Sequence, residues 1–311
     1  MPICINKGLP CARQLREEGQ MVFEGNSTTD LVIGLLNLMP DKQVAERQFA
    51  RRLGRDDLNV SLKLYRLNNQ VCRTSGPYHL HRHYDHIDEE KIKTLDGIII
   101  TGAPVEKLRF EDVDYWAEMT RVLSAITRNK VPVVFVCWAA QAALYHYHNV
   151  AKTNLPTKAF GVEVQDVFDS TSDLLRGLSD TLLTPVSRHS ALDYSDLFRL
   201  PSVKIVAGSA TTGPAILEDQ IAKQTFILNH FEYEMNTLNV EYQRDLAKGL
   251  SPVKPKYQFS RTTLDQAPSC PWEYQGQTFY SNWLDIVRAD NASPDEQVYG
   301  KTLDKPQILV A

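Results

Sequence analysis

The sequence lacks a long apolar run, a regular set of cysteines and an excess of positive charge. No apolar stretch approaches the ~20 residues of a membrane-spanning helix, and the opening residues, MPICINKGLPCARQLREEG, lack the apolar core of a signal peptide. The five cysteines are odd in number and scattered, so they fit neither a disulfide framework nor a CxxC zinc site. A formal net charge of -4, without a basic and aromatic stripe, gives no basis for binding nucleic acid. We therefore expect a protein of the reducing cytoplasm that acts on neither membranes nor nucleic acids.

The first half of the sequence alternates strand and helix patterns. Apolar runs predict buried strands at 30–40, 95–104 and 131–137, and strict alternation predicts a half-exposed strand at 59–67. Amphipathic patterns predict helices at 41–55 and about 112–129. Strands and helices that alternate with short joints predict an α/β fold with a doubly wound, mostly parallel sheet. Such sheets bind their ligands at the carboxyl ends of the strands.

The second half is less regular. Residues 161–168, 203–209 and 224–233 are typical of strands, and residues 234–250 of a helix. Residues 251–277 begin with a segment rich in proline and serine, which predicts an irregular, extended C-terminal arm. No internal repeat or flexible linker divides the chain, so we predict one elaborated domain over residues 1–311.

Cys137 stands at the point where a buried strand turns into a helix, in VPVVFVCWAAQAALYHYH. Packing alone would explain it, because free cysteine is one of the most buried residue types. A nucleophile is the alternative, because a strand end exposes the thiol and the following helix N-terminus favours its ionised form. The backbone N–H of Trp138 would then serve as an oxyanion donor.

A cysteine nucleophile requires a base, and ILNHFEYE offers one at the end of another apolar run. His230 and Glu232 have a spacing of two, which can bring both side chains to one side of a strand end. There the carboxylate would orient the imidazole and stabilise its charged form. A structural histidine is the alternative for His230 alone.

Several segments resemble, in this order, the homoserine O-acyltransferase family of methionine biosynthesis: LNLMP, TGAPVE, FEDVDYW, FVCWAAQAAL, SRH and HFEYE…EYQRD. The resemblance runs from the opening MPI to SNWL at 281–284. It implies a class I glutamine amidotransferase-like (flavodoxin-like) fold and, in most members, a homodimer. It also implies roles for the following residues: Cys137 as the acyl-thioester nucleophile, His230 as proton acceptor, Glu232 as its support, and Lys158, Ser187 and Arg244 as substrate contacts.

Glu106 bears on the choice of acyl donor. In the family that this chain resembles, glycine at the matching position accompanies succinyl transfer and glutamate accompanies acetyl transfer. A carboxylate in the acyl pocket would fill space and repel the free carboxylate of a succinyl group. The resemblance therefore implies acetyl-CoA and a small hydroxy amino acid as substrates, with no cofactor and no metal. An exposed loop glutamate is the alternative.

Three positions depart from the family pattern. Phe231 replaces a common proline, and Val186 and Gln165 stand where histidine is frequent. These changes would reshape the acceptor pocket if they line it. Since one methylene in a pocket is worth only ~1–3 kcal/mol, serine stays open as an acceptor beside homoserine.

The segment HLHRHYDH at 79–86 suggests a metal site, because it contains four histidines and an aspartate. Its charged flanks instead favour a solvated arm without metal, and the matching family segment is a loop.

Two other functions remain open from the residues. An amidotransferase-type hydrolase would share the Cys-His-Glu arrangement, but the cysteine here lies in VCWAAQ rather than in the usual Gly-x-Cys-x-Gly turn. An inert binding module would simply bury Cys137. Succinyl-CoA also remains as an alternative donor.

Overall fold

The computed structural model describes residues 2–25, 28–72, 74–257 and 270–292. These residues build a 13-stranded sheet with helices on both faces. The strands are β1 (Ile3–Ile5), β2 (Val22–Glu24), β3 (Leu31–Leu36), β4 (Val60–Arg66), β5 (Asp85–His86), β6 (Gly97–Ile100), β7 (Val133–Val136), β8 (Lys152–Val167), β9 (Thr181–Leu192), β10 (Lys204–Ser209), β11 (Gly213–Asp219), β12 (Gln224–Ile227) and β13 (Lys256–Tyr257). The α-helices are α1 (Cys11–Glu17), α2 (Lys42–Leu53), α3 (Pro77–His83), α4 (Glu89–Ile92), α5 (Trp116–Arg128), α6 (Trp138–His148), α7 (Tyr194–Leu197), α8 (Thr237–Ala247) and α9 (Glu273–Asn291). Short 3-10 helices cover Phe110–Asp112 and Asp173–Leu175.

The strand order is β13-β8-β10-β11-β12-β7-β6-β3-β4-β1-β2, with β5 beside β4 and β9 beside β8. From β12 to β2 all neighbours are parallel, whereas β8 to β12 are joined by antiparallel pairs. The predicted α/β class with a mostly parallel sheet is confirmed. Among the described residues, no helix combines the length and the apolar character needed to cross a membrane.

The central strands are apolar on both faces because helices cover both. In β7, Val134 and Val136 belong to one core cluster, whereas Val133 and Phe135 belong to the cluster on the opposite face. This period of two is the geometry of an extended chain. Because both faces are filled, a ligand can contact β7 only at its ends, and Cys137 lies at the carboxyl end, where sheets of this kind bind their ligands.

The predicted solvated arm at 79–86 is wrong. Most of that segment lies in α3, which begins after Gly76 with a proline in its first turn. His79 and His83 are buried, and His79 Nε2 lies 2.7 Å from Oε1 of the buried Glu46 in α2. This contact gives the segment a partner within the fold. In the described part of the chain, no group of three His, Cys, Asp or Glu side chains is placed to hold a metal ion.

The C-terminal arm is also shorter than predicted. Residues 256 and 257 form β13 against β8, and residues 273–277 belong to α9. Residues 258–269 of the predicted arm lie outside the described residues. Helix α9 buries Phe279, Tyr280, Trp283 and Leu284 in the core. The apolar stripe of this helix explains why the extended prediction fails beyond residue 272.

Candidate active site

Most of the predicted site residues line one cavity of about 520 Å³ at the carboxyl ends of β6 and β7. They are Cys137, His230, Lys158, Ser187, Arg244 and Glu106. Glu232 stands behind His230, and Trp138 begins α6 directly after the thiol. The structure therefore brings together the residues that the sequence placed far apart.

Cys137 adopts φ 52° and ψ -113°, a conformation that residues with a side chain rarely adopt. Such strain persists only where the surrounding structure imposes it, and it concentrates at functional sites. Here the Cys137 N–H donates to the carbonyl of Ile227 at 2.6 Å. Gly102 makes room for the turn, because a Cβ at that position would lie 3.2 Å from the Cys137 Cβ. The sharp turn aims the thiol into the cavity.

His230 and Glu232 form the predicted pair. His230 Nδ1 lies 2.7 Å from Glu232 Oε1, and the His230 N–H donates to the carbonyl of Pro185 at 2.9 Å. Apart from the neighbouring Cys137 thiol, Nε2 has no hydrogen-bond partner among the described residues. Burial disfavours the charged imidazolium, but the Glu232 carboxylate and Cys137 outweigh it and raise the pKa of His230 to about 10. At neutral pH this pKa favours the imidazolium form of His230 beside the Cys137 thiol.

A helix N-terminus lies next to the thiol. Trp138 is the first residue of α6, and the first N–H groups of a helix have no acceptor within the helix. The loop at 101–104, which carries Gly102, packs against Cys137 and lines the same cavity.

Glu241 in α8 is a site residue that the sequence analysis missed. Its carboxylate accepts from Ser187 Oγ at 2.6 Å and from the Tyr233 hydroxyl at 2.7 Å, and Lys158 Nζ lies 3.2 Å away. Burial alone would raise the pKa of Glu241, but Lys158 and the two hydroxyl donors lower it overall. The available signal was its position in EYQRD, one helical turn before Arg244.

Arg244 lies on the same helix and is half-exposed. Its guanidinium contacts the neighbouring Asp245, with Nε–Oδ1 at 3.0 Å and Nη2–Oδ1 at 2.9 Å. It lines the catalytic cavity and is open to solvent on one side. Asp245, whose side chain is only 16% exposed, therefore holds one edge of the guanidinium at the rim of the cavity.

Glu106 lies in the turn after β6 and lines the cavity. Lys152 Nζ holds this turn by donating to the backbone carbonyls of Glu106 and Leu108. Burial lowers the pKa of Lys152, and the charge of Glu106 opposes that change. The turn that carries Glu106 is thus fixed by a lysine contact with its backbone.

Arg188, between Ser187 and the cavity residue His189, is fully buried. Its guanidinium contacts the carbonyl of Leu228 at 3.2 Å and the side chain of Asn229, the two residues before His230. Burial lowers the pKa of Arg188, and the nearby Cys137 opposes that change. Arg188 therefore fixes the chain that leads into His230.

None of the three departures from the family pattern lines the cavity. Val186, Phe231 and Gln165 are all fully buried. The Phe231 ring stacks on Phe279 of α9, with centroids 5.1 Å apart. The amide of Gln165 has no hydrogen-bond partner among the described residues. The side chains at these positions do not reshape the pocket directly.

Solved structures with a similar fold include a glutamine amidotransferase from Thermotoga maritima and one from Methylobacillus flagellatus. Each superposes with a TM-score of 0.54 at 11% identity over 83% of this chain, covering 97% and 95% of the respective structures. Such low identity shows the fold alone. The chain is thus a protein of class I glutamine amidotransferase-like fold, with a cysteine and a histidine–glutamate pair at the strand ends.

The chain belongs to the homoserine O-succinyltransferase family, whose model matches residues 2–293. It is 35% identical over 289 residues to a homoserine O-acetyltransferase from Bacillus cytotoxicus, covering 91% of this chain and 96% of that protein. A protein of the same name from Ruegeria sp. is 36% identical over 292 residues, covering 92% and 94%. The resemblance derived from the motifs is confirmed, and the chain is an enzyme of the homoserine acyltransferase kind.

Proposed function

We propose that the protein transfers an acetyl group from acetyl-CoA to the side-chain hydroxyl of L-homoserine through a thioester on Cys137. The observation that carries this proposal is the strained, cavity-facing Cys137 beside His230, whose Nδ1 is held by Glu232. Acyl transfer from a thioester by this route requires no further cofactor.

In the first half-reaction the Cys137 thiolate attacks the acetyl carbonyl carbon of acetyl-CoA. The imidazolium form of His230 stabilises the thiolate, and the N–H of Trp138 stabilises the charge that develops on the carbonyl oxygen. The bond between the acetyl carbon and the coenzyme A sulfur then breaks. The leaving thiolate takes the proton from His230, and the acetyl group stays on Cys137.

In the second half-reaction neutral His230 accepts the proton of the homoserine hydroxyl, and its oxygen attacks the acetyl thioester. The carbon–sulfur bond to Cys137 breaks, and the thiolate and imidazolium are restored. The Glu232 carboxylate, which raises the pKa of His230, favours its recharging at this step. A His-supported nucleophile that is acylated and then deacylated gives a ping-pong mechanism.

The polar end of the cavity suits an amino acid. Arg244 offers a planar fork for the α-carboxylate, a geometry that lysine does not reproduce. Lys158 and Ser187 are held beside it by Glu241, whose buried carboxylate complements the substrate ammonium group. Homoserine is preferred over serine because none of the three departures lines the cavity.

The donor assignment rests on Glu106. Its carboxylate lines the cavity and would face the free carboxylate of a succinyl group. The relatives named homoserine O-acetyltransferase support the acetyl donor, although the family takes its description from succinyl transfer.

The test is acylation in the absence of acceptor. Wild-type protein mixed with acetyl-CoA alone is expected to release one equivalent of coenzyme A and to carry one acetyl group, located on the Cys137 peptide by mass spectrometry. L-homoserine should then remove the label as O-acetylhomoserine faster than L-serine does. Full turnover by Cys137→Ala, or a label on another residue, would refute the thioester route. Succinyl-CoA serves as the donor control.

A further inference from the structure

A second cavity, of about 310 Å³, lies between α2 and α8 and adjoins the cavity at Cys137. The two cavities share Met39, Pro40, Tyr233, Glu241 and Arg244 as lining residues. We call the second cavity the α2–α8 groove. Its volume is at the lower end of the ~300–1,000 Å³ of small-molecule pockets. Because they share these residues, the two cavities lie side by side.

The walls of the α2–α8 groove are apolar. Met39 and Pro40 line its inner end, and Val44 of α2 and Val240 of α8 line its sides. Val240 is 63% exposed. In α8, Leu238 is fully buried and Glu241 is mostly buried, whereas Val240 lies on an exposed face of the helix. An exposed valine above an apolar groove leaves surface that a ligand would cover.

The polar side chains of the groove are better able to hydrogen-bond an amide of a ligand than to bind an isolated charged group. Gln48 Nε2 donates to Thr237 Oγ1 at 3.1 Å and so bridges the two helices. Arg47 lines the groove as well, but its guanidinium is bound to both oxygens of Glu234 at 2.7 and 2.8 Å. The charges of Arg47 and Glu234 therefore neutralise each other.

Lys248 is the unpaired cation of the groove. It lines both cavities, is exposed, and forms no ion pair with any described residue. It lies directly after the last residue of α8. A cation at this opening would attract a phosphate group of a ligand that extends out of the groove.

We propose that the α2–α8 groove holds the pantetheine arm of the acyl-CoA donor and that Lys248 contacts its phosphates. This inference rests on the proposed function, because only an acyl-CoA requires such a channel. The thioester must lie at Cys137 while the nucleotide remains outside, so the linear arm must leave through a passage continuous with the catalytic cavity. Pantetheine combines methylene and dimethyl segments with two amides, which matches apolar walls bridged by Gln48 and Thr237.

The test compares three acetyl thioesters: acetyl-CoA, acetyl-pantetheine and acetyl-N-acetylcysteamine, which lacks most of the arm. Val240→Trp fills the groove from an exposed position. It should lower kcat/KM for acetyl-CoA and acetyl-pantetheine about tenfold through KM, and affect the truncated donor far less. Lys248→Ala should raise KM roughly fivefold at low salt for acetyl-CoA alone. Leu246→Trp is the matched control, since Leu246 is an exposed residue of α8 that lines neither cavity.

Each remaining outcome overturns the inference. If Val240→Trp lowers kcat/KM equally for all three donors, the groove serves the acceptor or the general entry of substrates. If it leaves all KM values unchanged, the groove is not a donor site. A changed oligomeric state with unchanged KM values would assign the groove to a contact between copies of the chain. The proposed function fails separately, if the wild-type protein transfers acetyl from none of the three thioesters to homoserine.

Discussion

His230 and Glu232 point to the same side of the chain, 2.7 Å apart, while Phe231 between them points into the core. The Phe231 ring packs on α9, and its carbonyl accepts from Arg52 Nε of α2 at 3.0 Å. Two helices therefore hold the backbone between the catalytic pair. The core position of Phe231 explains how a large ring can replace the proline common in the family without entering the pocket.

Gly276 of α9 lies directly against this backbone, which leads to a first prediction. A Cβ at Gly276 would stand 2.5 Å from the Phe231 carbonyl and 3.2 Å from Arg52 Nε. Gly276→Ala should therefore reduce the free energy of unfolding by about 1–3 kcal/mol, as overpacking does. It should also lower kcat, because the carbonyl lies between His230 and Glu232. Urea unfolding and steady-state kinetics measure both effects.

Gly76→Ala is the matched control for that change. Gly76 has φ -62° and nothing within 4 Å of a built Cβ, so alanine should leave stability and kcat unchanged. Equal unfolding free energies and equal kcat values for Gly276→Ala and Gly76→Ala would contradict the proposal that α9 supports His230 and Glu232.

A second prediction concerns Glu232→Gln, which keeps the shape of the side chain and removes its charge. Without the carboxylate the imidazole loses both its orientation and the stabilisation of its charged form. The kcat should fall by about 10²–10⁴-fold, as in other triads that lose the orienting carboxylate. A circular dichroism spectrum that matches the wild type would show that the fold is retained. A decrease in kcat of less than about threefold would then exclude a role for Glu232 in orienting His230.

The pH dependence of the same pair gives a third prediction. His230 titrates at about 10 in the fold against its usual 6.5. Protonation of His230 therefore contributes stability that is complete below pH 6.5 and is lost as the pH rises through 10. In Glu232→Gln the pKa of His230 in the fold should be lower, so this contribution should be smaller and its loss should be complete at a lower pH. The measurements are the free energy of unfolding from pH 6 to 10 and the rate of Cys137 alkylation by iodoacetamide, resolved by peptide mass. Identical profiles for both proteins would contradict the assignment.

Sequence patterns predicted those parts of the fold and site that local sequence determines. They missed the parts that depend on contacts between residues far apart in the chain. Short apolar runs predicted β3, β6 and β7, and hence the exposed strand end at Cys137. The prediction at 161–168 found the second half of β8, but its first half and β9 were not predicted, because polar residues interrupt the alternation there. The burial of His79 depends on Glu46, more than thirty positions earlier. Glu241 escaped for the same reason: its partners Lys158, Ser187 and Tyr233 come from three other parts of the chain.

Glu241→Gln gives a fourth prediction. The change removes the charge that pairs with Lys158 and weakens the bonds from Ser187 and Tyr233. Charge-assisted bonds are worth about 1.5–3 kcal/mol each, so we expect KM for homoserine to rise roughly 10–100-fold. The first half-reaction, followed as acetylation of Cys137, should change much less. Gln243→Ala, an exposed position on the same helix, is the control. A larger effect on acetylation than on KM would place Glu241 at the donor end instead.

Glu106 supplies the last prediction, in which charge and volume are separated. Two carboxylates ~5 Å apart at an effective dielectric of ~20 repel by about 3 kcal/mol, on the order of a hundredfold in affinity. Glu106→Gln removes the charge and keeps the volume, whereas Glu106→Gly removes both. If repulsion dominates, both variants should gain succinyl-CoA turnover; if volume dominates, Glu106→Gly alone should gain it. Comparison of kcat/KM for acetyl-CoA and succinyl-CoA in the three proteins decides between these causes. Failure of both variants to gain succinyl transfer would remove Glu106 from donor selection, because no other property of this side chain distinguishes the two acyl groups.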